Sequence, residues 1–152
     1  MTASRSVDTV ALEQNIQETQ LPAIMFLRFV TSEVHASSGR RRGVFQAAFL
    51  LRDSADIAEY DLARLRRITG WFSEHLERPE RLAVSRRPHA KAQALSWFKD
   101  TSHYHLRQVR DLSQLLESYD IAVHVIRTPR PGYIVYEDHF QVAAYPFADT
   151  PT

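Results

Sequence analysis

Basic and aromatic side chains are concentrated in the stretch SRRPHAKAQALSWFKDTSHYH, residues 85–105. Arginine forks and lysine ammonium groups bind phosphate and carboxylate oxygens, and a flat ring beside such a cation can stack on a nucleic-acid base. The stretch therefore predicts an anion-binding surface, which a second arginine cluster at 40–42 would extend if the two loops converge. The candidate anion-binding residues are Arg41, Arg42, Arg86, Arg87, Lys91 and Lys99.

The Trp97–Phe98 pair in this stretch has two interpretations. If the rings are exposed, they form a stacking platform for a base, with Lys99, Arg87 and Lys91 on the phosphates. If they are buried, they fill the core where two helices meet, in a helical turn that we predict through KAQALSWFKD. We favour burial, because a large indole ring is seldom left in water without a special reason.

Three histidines, His89, His103 and His105, raise the question of a metal site. His103 and His105 are two residues apart in a predicted helix, which turns them roughly 200° apart around its axis. They cannot share an ion in that geometry, and the chain has neither a cysteine nor an HExxH motif. We therefore expect no metal on these histidines and no cofactor.

The motif YEDHF offers a second kind of chemistry. Glu137 and Asp138, helped by His89 or Lys91, could hold a divalent cation or transfer protons, as in a small metal-dependent hydrolase or nuclease-like enzyme. A hairpin turn would also explain the motif, because turns favour polar residues and Asp in particular. The motif lacks the lysine of carboxylate–lysine nucleases, and the chain has no Walker loop, GxSxG or dinucleotide glycine fingerprint. Whether the protein is an enzyme stays open.

Hydrophobic patterning indicates which elements position these residues. The apolar run AIMFLRFV (23–30), interrupted only by Arg28, predicts a central strand. Apolar residues at helical spacing predict helices over 44–53, over 53–76 and in the stretch that begins at DTSHYH. The segments IAVHVIRT, YIVYE and FQVAAY predict three C-terminal strands, joined by a PRPG turn and a tight turn at Asp138–His139.

This order of elements predicts an α+β fold. We expect a small antiparallel sheet, made of the N-terminal strand and a C-terminal three-stranded meander, with helices packed on one face. Residues 1–22 are predicted to be an N-terminal extension, flexible or a short helix, and residues 23–148 a single domain.

Composition and charge exclude several classes of protein. The 152 residues are 44% hydrophobic and include no cysteine, which rules out disulfides and thiolate chemistry and fits a reducing cytoplasm. No apolar run approaches the length of a membrane span. Residues 40–110 hold fifteen basic and eight acidic side chains, net +7, between two acidic ends. That asymmetry suits an anionic partner, although the acidic ends could also neutralise the basic middle by packing on it.

The segments MFLRFV, SRRPHAKAQALSWFKD and RPGYIVYEDHFQVAAYPF resemble a family of small uncharacterised bacterial proteins over roughly residues 25–148. The resemblance implies a bacterial, single-domain protein and carries over no catalytic residue. Together these features favour a cytoplasmic binding domain that recognises an anionic ligand, a nucleic acid or a protein partner through its basic middle region. The small hydrolase or nuclease is the alternative.

Overall fold

The computed structural model describes residues 23–78 and 94–152. The described elements are β1 (Phe26–Val34), β2 (Arg41–Gly43), α1 (Val44–Arg52), α2 (Glu59–His75), β3 (Leu95–Lys99), α3 (His103–Glu117), β4 (Val123–Thr128), β5 (Tyr133–Glu137) and β6 (Gln141–Tyr145). The predicted N-terminal extension and the candidate residues Arg86, Arg87, His89 and Lys91 lie outside the described residues.

All strand pairs in the sheet are antiparallel, and β1 lies inside it. One edge of β1 pairs with β4, from Phe26 opposite Thr128 to Thr31 opposite Val123. The other edge is shared: β3 pairs with the beginning of β1, and β2 pairs with its end. The sheet continues from β3 to β6 and then to β5.

The predicted α+β class is confirmed, as are the central position of the first strand and the packing of helices on the sheet. The three C-terminal strands are divided between two regions of the sheet. β5 and β6 form a hairpin next to β3, whereas β4 crosses to the far edge of β1. Each described helix is too short or too polar to cross a bilayer.

The helical turn predicted through KAQALSWFKD is wrong for its described part, because Leu95–Lys99 is strand β3. The side chains alternate with the period of a strand: Trp97 lies opposite Val142 on one face of the sheet, and Phe98 packs on the other. Burial of two large rings on opposite faces requires this alternation, which a helical turn would not provide.

The larger core cluster lies between the helices and one face of the sheet. It includes Leu27, Phe29, Ala48, Leu51, Leu65, Ile68, Phe72, Leu106, Val109, Leu112, Leu115 and Leu116. The apolar stripe predicted for α3 is fully buried, and Leu65, Ile68 and Phe72 of the α2 stripe are buried as well. A second cluster of Phe26, Trp97, Val142 and Ala144 lies on the opposite face.

Candidate ligand-binding site

A cavity of about 610 Å³ lies where β1 changes its neighbour in the sheet. β3 pairs with β1 only at Phe26 and Leu27, and β2 pairs with it at Val30 and Val34. Between these pairings, Arg28 and Phe29 line the cavity. The cavity therefore occupies a gap in the sheet that the strand topology itself creates.

The rest of the described wall comes from helices α1 and α2, residues 76–78 after α2, and strand β3, with Gly43 of β2 and Gln141 of β6. Most of the wall is hydrocarbon, and its aromatic members are Phe29, Phe45, Phe49, Phe72, Trp97 and Phe98. The rings support one another: Phe45 and Phe72 are 4.8 Å apart between centroids in an edge-to-face arrangement. Polar groups on the wall are fewer. Thr69, Ser73 and Ser96 supply hydroxyl groups, and Gln46 and Gln141 supply amide groups.

Arg28 places a cation on this wall. Its Nη2 donates a 3.2 Å hydrogen bond to the carbonyl of Arg41, whereas its buried Nη1 has no hydrogen-bond partner among the described residues. Within residues 23–78 and 94–152, no carboxylate forms an ion pair with it. Burial, followed by the positive charge of Arg40, lowers the pKa of Arg28 to about 10. The guanidinium is therefore still charged at neutral pH.

Trp97 adds a second donor to the same wall. Its side chain is only 1% exposed, and its Nε1–H is buried without a hydrogen-bond partner in the described part of the chain. Leu27 lies opposite Phe98, and both pack on the helix side of the sheet. Because side chains alternate between faces along a strand, the adjacent residues Arg28 and Trp97 both project from the opposite face. The predicted burial of Trp97 is confirmed, and the exposed stacking platform is wrong.

The described members of the predicted anion-binding set do not come together. Arg41 lies opposite Val34 at the end of β1, and Lys99 lies opposite Phe26 at its beginning. Eight residues of strand separate these points, roughly 26 Å at 3.3 Å per residue. Arg42 pairs with Glu33, and the Lys99 ammonium lies 2.6 Å from the Glu137 carboxylate. Anion binding by this set stays a prediction.

The YEDHF motif forms the turn between β5 and β6. Asp138 accepts hydrogen bonds from the backbone N–H groups of Phe140 and Gln141, the Tyr136 hydroxyl and the Gln141 amide. Burial works against ionisation of Asp138, but these four hydrogen bonds outweigh it and lower the pKa of the carboxyl. Burial, aided by the bond to Asp138, raises the pKa of Tyr136 to about 12. These contacts are those expected of a turn, and catalysis by Glu137 and Asp138 stays a prediction.

The histidines have separate environments. His103 is exposed at the first position of α3, whereas His105 is buried and donates a 2.9 Å hydrogen bond from Nε2 to the carbonyl of His75. His105 also packs on the ring of Phe140. Across the two described ranges, no group of three histidine or carboxylate side chains is placed to hold a metal ion.

Arg28 is a candidate site residue that the sequence patterns did not predict. The signal was present, because Arg28 is the one charged residue in the apolar run 23–30 of a strand predicted to be covered on both faces. A cation in a covered strand needs a hydrogen-bond acceptor or an opposite charge. For Arg28, the space that could hold such a partner is the cavity that it lines.

Comparison of the chain with protein-family models, curated proteins and solved structures gives no match. The resemblance to a bacterial family stays a prediction.

Proposed function

We propose that the protein is a binding domain that holds a small organic anion in the cavity beside Arg28. The observation that carries the proposal is Arg28, a residue of the wall whose buried Nη1 has no acceptor among the described groups. Burying a cation without an acceptor costs free energy. The anionic group of a ligand would supply that acceptor, because a guanidinium fork matches the oxygens of a carboxylate, sulfonate or phosphate.

The remainder of the wall favours a ligand with an apolar body. Six aromatic side chains surround a few polar groups, and the cavity has the size of a typical small-molecule site. A bare inorganic anion would leave most of these rings in contact with water. An amphiphilic anion would cover them and place its charge on Arg28.

The two alternatives from the sequence have less support. A nucleic-acid surface needs free cations, and two of its described members, Arg42 and Lys99, are paired with Glu33 and Glu137. An enzyme that uses Asp138 needs a carboxylate that is free to bind a cation or a proton. Asp138 already accepts four hydrogen bonds inside its turn.

Fluorescence titration with two related probes tests the proposal. Anilinonaphthalene sulfonate and phenylnaphthylamine share their rings, and only the first carries an anion. We expect the sulfonate to bind about tenfold more tightly or better, because a charge-assisted hydrogen bond contributes about 1.5–3 kcal/mol. Arg28→Met should remove this preference and leave the affinity for the uncharged probe within about twofold, since methionine preserves the length and the apolar contacts of the side chain.

Arg127→Met is the matched control, because Arg127 is an exposed arginine on β4 that does not line the cavity. It should retain the full preference for the sulfonate. Arg28→Lys keeps the charge without the fork and should retain part of the preference. Circular dichroism checks that each variant is folded. Equal affinity of the wild type for both probes, or an unchanged preference in folded Arg28→Met, would show that the proposal is wrong.

A further inference from the structure

We infer that the anionic group of the ligand is a single carboxylate, held between Arg28 and Trp97, and that its body is aromatic; this inference rests on the proposed function. Two residues of the described wall carry buried donors without partners, Arg28 at Nη1 and Trp97 at Nε1. Both are donors that cannot accept. A group that satisfies both must offer two acceptor sites, as the two oxygens of an ionised acid do.

The positions of the two donors suit one acid group. Arg28 follows Leu27 and Trp97 precedes Phe98 on two antiparallel strands, so both project from the same face of the sheet, next to the Leu27–Phe98 pair. Two residues at such matching positions on antiparallel strands lie directly opposite each other wherever the strands remain paired. Here the strands stop pairing and the cavity begins. One oxygen of a carboxylate can accept from Nη1, and the other can accept from Nε1.

The charge of the described wall favours a monoanion. Arg28 and Arg78 contribute two positive charges and Glu77 one negative charge, net +1. A carboxylate balances this charge. A phosphate monoester carries about two negative charges above neutral pH and would leave one uncompensated in a largely hydrocarbon cavity, where an unpaired charge is costly.

The shape of the apolar wall favours a flat body. The Phe45, Phe72 and Phe98 rings contact one another at edge-to-face and tilted angles, with centroids 4.8–6.4 Å apart. Rings at these angles can receive an additional aromatic group by stacking or by edge contact. An aryl carboxylate therefore satisfies the donors and the hydrocarbon of the wall together.

Three probes with one ring system test the inference by isothermal calorimetry at pH 8: naphthoate, naphthyl phosphate and naphthylmethanol. We expect naphthoate to bind at least about tenfold more tightly than the other two. If the three probes bind equally, the proposed function fails as well. If the phosphate binds as tightly as naphthoate or more tightly, anion binding stands and the carboxylate assignment is overturned.

The role of Trp97 is tested separately through its indole N–H signal in the proton–nitrogen NMR spectrum. The chain has two tryptophans, so Trp71→Phe assigns the two signals. Naphthoate should shift the Trp97 signal downfield, and naphthylmethanol should not, because only the acid offers an ionised acceptor. Trp97→Phe keeps a ring and should weaken naphthoate at least about fivefold. Trp71→Phe, which lies outside the cavity wall, should weaken it less than about twofold. A Trp97 signal that naphthoate leaves unmoved would overturn the assignment to Trp97 even if Trp97→Phe does not fold.

Discussion

Asp138 stabilises the turn between β5 and β6 in its ionised form. The net effect of its surroundings is a lowered pKa in the folded protein. Its contribution to stability is therefore present above the unfolded-state pKa, about 3.9, and is lost as the pH falls through the lower folded-state value. Because the carboxyl is partly exposed, solvent screens part of this contribution.

Asp138→Asn tests this pH dependence. Asparagine retains one carbonyl acceptor for the backbone N–H groups but loses the charge and the second acceptor, so we expect unfolding at pH 7 to require about 1 kcal/mol less. The difference between wild type and variant should shrink at pH 3, because the carboxyl of the unfolded wild-type chain then binds a proton, which stabilises the unfolded state. Urea denaturation at the two pH values measures it. Asp53→Asn, at the exposed ion pair with Arg52, is the control and should change stability by less. A difference that stays constant with pH would contradict the assigned role of the charge.

At the residue scale, the sequence predicts roles that depend on near neighbours. The turn role of Asp138 follows from residues 136–141, and the burial of Trp97 follows from its size and type. Arg28 depends on distant groups: it donates a hydrogen bond to Arg41, and the wall that it lines comes largely from β3, α1 and α2. The apolar sequence of the strand shows that a charged residue is unusual there. It does not show which groups surround the guanidinium.

At the element scale, β3 shows how pairing overrides local preference. KAQALSWFKD combines good helix formers with two aromatic residues that favour strands. Residues Leu95–Phe98 pair with Gln141–Ala144, more than forty positions further along the chain. The helices α1, α2 and α3 were predictable because their apolar stripes are local. A strand this short takes its conformation from a partner that its own residues do not identify.

At the element scale, replacing two glycines with alanine is predicted to change stability in opposite directions. Gly132, which enters β5, has φ +133°, and a Cβ there would lie 2.0 Å from the carbonyl oxygen of Tyr145. Gly132→Ala should therefore destabilise the hairpin by about 3 kcal/mol. Gly70 lies inside α2 with nothing within 4 Å of an added Cβ. Gly70→Ala should stabilise the protein by about 0.5–1 kcal/mol through helix propensity.

Thermal unfolding of both alanine variants measures the two stability changes. We expect the melting temperature to rise by about 1–4 °C for Gly70→Ala and to fall by a larger amount for Gly132→Ala. A Gly132→Ala variant as stable as the wild type would mean that β5 and β6 separate without cost, and the close approach of the two strands would then be unimportant.

At the scale of the whole molecule, the proposed site and the basic surface differ in their response to salt. A buried cation is screened little by dissolved ions. The affinity for anilinonaphthalene sulfonate should therefore change less than about threefold between about 50 and 200 mM salt. A polyanion that contacts six cations would lose about a thousandfold over the same range. Titration of a short DNA duplex at both salt concentrations is the comparison, and a steep loss there would support the surface of Arg41, Arg42, Arg86, Arg87, Lys91 and Lys99 instead.

The sequence predicts the fold class at this scale but not the order of the strands. Strand, helices and then strands indicate an α+β sheet, and β1 is central as its apolar run requires. The position of β4 could not be predicted, because a turn such as PRPG suits a hairpin as well as a chain that leaves for another part of the sheet. The cavity depends on the separate pairings of β2 and β3 with β1, so it could not be predicted either.

The central position of β1 also affects how the chain folds as it leaves the ribosome. β1 is made first, but its partners β3 and β4 begin near residues 95 and 123. At about 5–20 residues per second, translation leaves this apolar strand without those partners for several seconds. Strand pairs so distant in sequence also form slowly, because loop closure precedes the gain from contact. We expect the nascent chain to be most prone to aggregation in this interval, and a chaperone that binds extended apolar segments would act on β1.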